Sequence, residues 1–127
     1  MAYEILGENK GVQVVLRDAI NAGVVEEINN AIAKSEQFDS LLYEVWDFLG
    51  VTSLQATLDD ARQTAALDDA ASLWRRGKTI PGAIIADNEE ILSLVEEYLA
   101  NIDESTYDAR VFDNREDAEK WIASIVG

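Results

Sequence analysis

The sequence predicts an α/β sandwich of about five strands and four helices in the order β-β-α-β-α-β-α-β-α. Three observations carry this reading. Short apolar runs alternate with segments whose apolar residues recur at helical spacing. The first two runs are separated by a polar segment ending in glycine, Glu8-Asn9-Lys10-Gly11, too short for a helical crossover. Strands joined through helices must run parallel, so only the first strand is expected to be antiparallel. At 127 residues, 48% of them hydrophobic, the chain can bury a core, and no Pro-, Gly- or Ser-rich linker divides it, so one domain spanning residues 1–127 is expected.

Taken in order, Tyr3–Leu6 and Val12–Leu16 read as the hairpin. In Ala22–Ser35, Val24, Val25, Ile28, Ala31 and Ile32 fall on one helical face. Leu41–Phe48 is rich in strand formers and stops at Gly50. Thr57–Arg76 is alanine-rich and helix-favouring, with Thr57 placed to cap it and Gly77 just past its end, as one helix or two. Gly82–Ala86 follows Pro81 as a fully apolar central strand. Asn88 can cap a helix striped with Ile91, Leu92, Val95, Tyr98, Leu99 and Ile102. Tyr107–Phe112 suits an edge strand, and Asp113 with Glu116 forms a capping-box-like start to a last helix that buries Ala118, Trp121, Ile122 and Ile125.

Composition excludes more chemistry than it suggests. With no histidine and no cysteine, Ser-His-Asp and Cys-His catalysis, disulfides and structural zinc sites of the usual kind are ruled out. A net charge of −15 disfavours nucleic acid and anionic membrane surfaces as partners. The lack of a long apolar run or a basic, apolar leader points to a cytoplasmic protein that does not insert into membranes. Self-association through an exposed strand or an apolar helix face, giving a homodimer, is compatible with the sequence. The charge is uneven: residues 1–52 carry 3 basic and 9 acidic groups, 53–81 carry 4 of each, and 82–127 carry 3 and 12. Within the neutral middle, Arg75, Arg76 and Lys78 cluster beside Trp74, a candidate contact for an anionic group on a partner or ligand.

Other motifs each admit a plainer role beside the chemical one. Arg75-Arg76-Gly77-Lys78-Thr79 ends like a phosphate-binding P-loop, but Ser72 stands where that loop needs glycine, and a strand follows where a helix should. Leu58-Asp59-Asp60-Ala61 recurs as Leu67-Asp68-Asp69-Ala70, and nine residues at ~100° each turn the two copies to opposite sides of a helix. Glu44 and Asp47 are acids in an apolar strand and fall on opposite faces of it. Glu44 lies with Trp46 and Phe48, and Asp47 sits near the strand's C-terminal end, where open α/β sheets place ligands. Each is read either as a functional carboxylate or as a side chain on a partly open sheet face. Thr52, Ser53 and Thr57 after the strand are either phosphate acceptors, with Ser53 and Thr57 the candidates, or strand-ending and capping hydroxyls.

Three stretches resemble a known family. They are Trp46-Asp47-Phe48 with its following glycine and Ala-rich helix, Gly82-Ala83-Ile84-Ile85-Ala86-Asp87 before a helix, and Ala109-Arg110-Val111-Phe112 leading into Arg115-Glu116-Asp117-Ala118-Glu119-Lys120-Trp121-Ile122. Together they are similar to the SpoIIAA-like family of bacterial STAS-type domains, which includes anti-sigma factor antagonists and is related to Sec14-type lipid-binding modules. The resemblance implies a STAS/SpoIIAA-like fold and a non-enzymatic regulatory or interaction domain, without a cofactor, that acts through a protein partner or a small apolar ligand. It also implies an alternative: a carrier of lipid or another hydrophobic ligand, whose cavity between sheet and helices would be lined by residues such as Trp46, Phe48 and Trp74. Antagonists of this family carry an Asp-Ser-Ser/Thr-Gly-like motif at the start of the helix after the Asp-Phe strand. Leu54-Gln55-Ala56-Thr57 stands there instead, with alanine in place of the phosphorylated serine. A carboxylate-based enzyme is the third reading, since Asp and Glu can exchange protons without histidine.

Overall fold

The computed structural model describes residues 2–7, 11–35, 38–72, 79–103 and 105–126. The elements are β1 (Tyr3–Gly7), β2 (Gly11–Asn21), α1 (Ala22–Ala33), β3 (Tyr43–Gln55), α2 (Leu58–Ser72), β4 (Ile80–Ile85), α3 (Glu89–Asn101), β5 (Tyr107–Phe112) and α4 (Arg115–Val126), with a short 3-10 turn at Phe38–Ser40. They form one five-stranded sheet in the order β1-β2-β3-β4-β5, with β1 antiparallel to β2 and every later neighbour parallel. The expected order and the antiparallel first strand are both present, and β5 is an edge.

Because each crossover steps to the next strand in the same direction, crossovers of one hand deliver α1, α2 and α3 to the same face. There Ile28 and Ile32 of α1, Ala65 of α2, and Ile91 and Val95 of α3 meet Val12, Val14 and Leu16 of β2 and Ile84 of β4. Among the described residues the opposite face is covered by α4 alone, whose Ala118 and Ile122 pack on Tyr43, Val45, Ala83 and Ile85. Trp121 lies at the rim of that smaller core, tilted against Phe112 with the Arg110 guanidinium 5.0 Å from its ring centre.

The largest departure from expectation is the length of the paired β2 and β3. Instead of ending at Leu16, β2 runs to Asn21, and instead of stopping before Gly50, β3 runs on to Gln55. Thr52 and Ser53 therefore lie inside a strand and not after it. The reason is two register shifts, Val15/Arg17 against Asp47/Gly50 and Asp18/Ala19 against Val51/Ser53, each placing an extra residue in β3. These bulges keep apolar side chains inward at a spacing of three, Phe48, Val51 and Leu54, which breaks the period of two that identifies a strand in sequence. Gly50 sits in the first bulge, where an added Cβ would lie 3.0 Å from the Leu16 carbonyl oxygen and 3.2 Å from Arg17 Cβ. On the facing strand Asp18 adopts φ = 64°, a left-handed conformation that costs most side chains about 1–2 kcal/mol. Asp18→Gly is expected to hold or raise stability by up to about 1 kcal/mol and Asp18→Val to lower it by about 1–2 kcal/mol, as read from urea unfolding midpoints.

Three smaller corrections concern ends and faces. The last helix is capped by Asn114 and not Asp113: Asn114 Oδ1 accepts from the Asp117 amide at 2.9 Å, so the reciprocal pair is Asn114 with Asp117. The fourth strand begins at Ile80 and includes Pro81. Glu44 and Asp47 are themselves buried, as is every residue from Tyr43 to Phe48, and do not sit on an exposed sheet face. The second helix is continuous from Leu58 to Ser72. The hairpin turn at 8–10 and the stretch 73–78, with Trp74, Arg75, Arg76 and Lys78, lie outside the described residues.

Candidate functional site

The arrangement of the three helices on one face creates the site. Packing of α2 is mainly against α3 and only marginally against α1, and α2 is built from alanine and polar residues, so it buries no large side chain. The residues lining the gap on the α1 and α2 side include Ala22, Ala33, Ala61 and Ala71, which are too short to fill it. What remains is a cavity of about 140 Å³, partly open to solvent, between the sheet and α1, α2 and α3. Its mouth is continuous with a groove between α1 and α2, and Asn29, Asp60, Thr64 and Asp68 border both.

The floor comes from β3. Glu44, Trp46 and Phe48 point to this face, and the cavity is lined by all three. Glu44 is only 7% exposed, and its Oε1 accepts a hydrogen bond from Trp46 Nε1 at 2.9 Å. The carboxylate thus ties down the indole two residues along the same strand. Leu54, Ile84 and Val95 complete an apolar lining, and Tyr98 of α3 with Tyr107 of β5 close one wall.

Tyr98 donates its hydroxyl proton to Asp68 Oδ2 at 2.5 Å, joining α3 to α2 across the cavity. Burial pushes the Tyr98 phenol well above its ordinary value near 10, and the Asp68 carboxylate adds to the shift. A pKa higher in the folded than in the unfolded chain gives a stabilisation that is complete below pH 10 and lost as the pH climbs toward the folded value. Urea unfolding free energies are therefore expected to fall above about pH 10, and Tyr98→Phe should flatten that part of the profile. An unchanged alkaline slope in the variant would contradict the assignment.

The two aspartate pairs of α2 divide as helical geometry requires, with one addition. Asp59 pairs with Arg62 at 2.5 Å, while Asp69 accepts from the Asp103 amide at 3.1 Å. Asp60 and Asp68, eight residues and so about 80° apart, both face the cavity mouth. Among the described residues no cluster of three or more acids is placed to hold a metal ion.

Asp47 does not belong to this cavity. It lies on the opposite sheet face, 9% exposed, with Oδ2 2.7 Å from Arg115 Nη1 of α4 and Oδ1 accepting the Leu49 amide at 2.9 Å. Arg115 also donates to Gln13 of β2 and, at 3.1 Å, to Glu119. Ser53 is half-buried in β3, paired with Ala19. Thr57 is the exposed cap of α2, with its Oγ1 accepting the Asp60 amide at 3.1 Å and its own amide donating to Asp60 Oδ2 at 2.8 Å, a capping box. Sequence reasoning placed Trp46 and Phe48 in the cavity but missed Tyr98, Tyr107 and Asp68. Tyr98 and Asp68 stand 30 residues apart, and no local pattern links them.

No family model matches the sequence, and neither does any curated protein. Among solved structures the chain is similar to the anti-sigma factor antagonist SpoIIAA in its unphosphorylated form, at 12% identity and a TM-score of 0.60, with 99% of each chain covered. It is also similar to a DUF3478-family protein with a SpoIIAA-like fold from Shewanella loihica PV-4, at 16% identity and a TM-score of 0.48, covering 95% of this chain and 92% of that one. The strand order, the antiparallel first strand, the three helices on one face and the end-to-end match with SpoIIAA give this chain a SpoIIAA-like fold.

Proposed function

We propose that the protein is a non-enzymatic, cytoplasmic regulatory or interaction domain of STAS type whose state is set by a small apolar ligand in the cavity beneath α1, α2 and α3. The observation that carries this reading is the cavity itself. Interiors are normally packed to crystal-like density, yet here about 140 Å³ lined mainly by apolar side chains stays open beside a helix pair that barely touches. Its lining carboxylates Glu44 and Asp68 hold Trp46 and Tyr98 in place, which suits a binding wall better than proton transfer. Ligand in the gap would bridge α1 and α2, so occupancy and the outer helical surface offered to a protein partner are coupled. Native mass spectrometry of protein purified from its source host should show a co-purifying apolar molecule. Consistently ligand-free protein that also takes up none of a panel of small apolar compounds would remove the proposal.

A carrier of lipid or another hydrophobic ligand is the second reading, favoured by the same cavity and its mouth between α1 and α2. The protein-partner side of the proposal adds two sequence-derived elements. Ser53 and Thr57 are the candidate phosphate acceptors, and phosphate mapping in host extracts should place a modification on one of them. At Thr57 a phosphate would replace the capping hydroxyl next to Asp60, so its effect would be to loosen the start of α2. Arg75, Arg76 and Lys78, beside Trp74, are the proposed contact for an anionic group, and charge reversal at Arg75 and Arg76 should abolish capture of the partner.

A further inference from the structure

Four aromatic rings wall the cavity in two complementary arrangements. Trp46 and Phe48 lie nearly parallel, 18° between planes and 6.3 Å between centroids, while Tyr98 and Tyr107 meet at 80° with the same separation. Aromatic rings favour offset-stacked and edge-to-face neighbours at these distances because the ring face is negative and its edge positive. A flat ring entering among these four can stack on the face of one ring or meet the edge of another, whereas an alkyl chain gains only buried area. The Trp46 indole is held by Glu44 and Tyr98 by Asp68, so the walls are ordered before a ligand arrives and little is lost on binding.

Volume decides the size class. A space of about 140 Å³ is close to the ~150 Å³ apolar cavity that accepts one benzene molecule, and well below the roughly 300–1,000 Å³ of sites that enclose drug-sized ligands. A whole lipid acyl chain would not fit inside it and would have to run out through the mouth between α1 and α2. The charge of −15 also disfavours an anionic headgroup.

On the reading that this cavity is the functional site, we propose that it is a receptor site for a compact, uncharged aromatic molecule between benzene and indole in size. The ligand enters between α1 and α2 and packs among Trp46, Phe48, Tyr98 and Tyr107, against a ring face or edge. Passage between the helices is past Ala22 and Ala33 on one side and Ala71 on the other, with Asn29, Asp60, Thr64 and Asp68 also at the mouth.

The test is thermal unfolding and calorimetric titration of the full chain with benzene, indole and palmitate as probes. Indole and benzene are expected to raise the melting temperature by about 3–8 °C at saturation, and palmitate to leave it unchanged. Ala61→Leu, which places a larger side chain in the cavity, should abolish the shift. Ala71→Leu at the rim gives the same reading should the first variant fail to fold. Binding of palmitate without indole or benzene would overturn the aromatic-ligand inference while leaving the cavity as the functional site. Absence of any probe effect, with Ala61→Leu raising the melting temperature of the free protein, would overturn both, because the cavity would then be a packing defect. An indole shift that survives in both variants would place the site elsewhere and overturn the inference as well.

Discussion

Arg115→Ala should lower the unfolding free energy by about 2–3 kcal/mol, a loss of roughly 6–15 °C in melting temperature for a chain of this size. The Asp47 side chain is 12% exposed between β2, β3 and α4, and its Oδ2 depends on the Arg115 guanidinium at 2.7 Å. Removing one partner of a buried pair leaves a charge with neither water nor counterion, which costs about 3–5 kcal/mol in full burial. The Arg115 side chain is 36% exposed, so water can reach the vacated space, which brings the cost to the bottom of that range or below it. Arg115→Lys should recover only part of the loss, because an ammonium on a flexible stem lacks the planar fork that reaches Asp47 and Gln13 together. The double variant Asp47→Leu with Arg115→Leu removes the stranded charge and should be more stable than Arg115→Ala alone. A single-variant loss below about 0.5 kcal/mol would show that the pair behaves as a surface ion pair.

That pair also marks where sequence reading reached its limit. Asp47 stood out as an acid in an apolar strand, and its proximity to a strand end suggested a ligand contact. The bulges before Gly50 and Ser53 moved that end seven residues on, from Phe48 to Gln55, and Arg115, 68 residues away, turned the acid into a cross-sheet tie to the last helix. Element order and type were legible because apolar periodicity is local. Helix starts were legible where a capping residue stands alone, as at Thr57 and Asn88, and shifted by one where Asp113 and Asn114 compete. Strand length was not legible, because bulged pairing substitutes a spacing of three for alternation.

The cavity was half legible. Trp46 and Phe48 share a strand face by simple alternation, and an alanine-rich helix implies a thin layer above them. That α1 and α2 part while α2 and α3 pack together is a tertiary outcome, and only it turns small side chains into empty space. In the same way Tyr98 read as one member of an apolar stripe, and its pairing with Asp68 emerged once two helices came to lie side by side.

The tightest fit in the cavity wall makes Gly82→Ala the most damaging small substitution to expect, at about 2–4 kcal/mol. Gly82 is buried in β4, paired on one side with Glu44 and on the other with Ala109, and the Tyr107 ring lies over it. A Cβ there would overlap the Tyr107 hydroxyl and ring outright. Strand pairing on both sides holds the Gly82 backbone, and overpacking of this kind typically costs about 1–3 kcal/mol before other losses are counted. The ring itself is the part able to move. Leaving its place takes the 8% exposed Tyr107 away from Tyr98 and out of the cavity wall, adding the cost of an unfilled space. Tyr107→Ala should be destabilising alone, yet combining it with Gly82→Ala should cost little more than Tyr107→Ala by itself, since the added methyl then occupies vacated space. A strongly non-additive cycle from urea unfolding of the four proteins is the expected result. Additive losses would mean that alanine is rejected by the β4 backbone and not by the aromatic wall. The same Gly82→Ala protein should lose the benzene and indole response, because the displaced ring enters or opens the space those probes would fill.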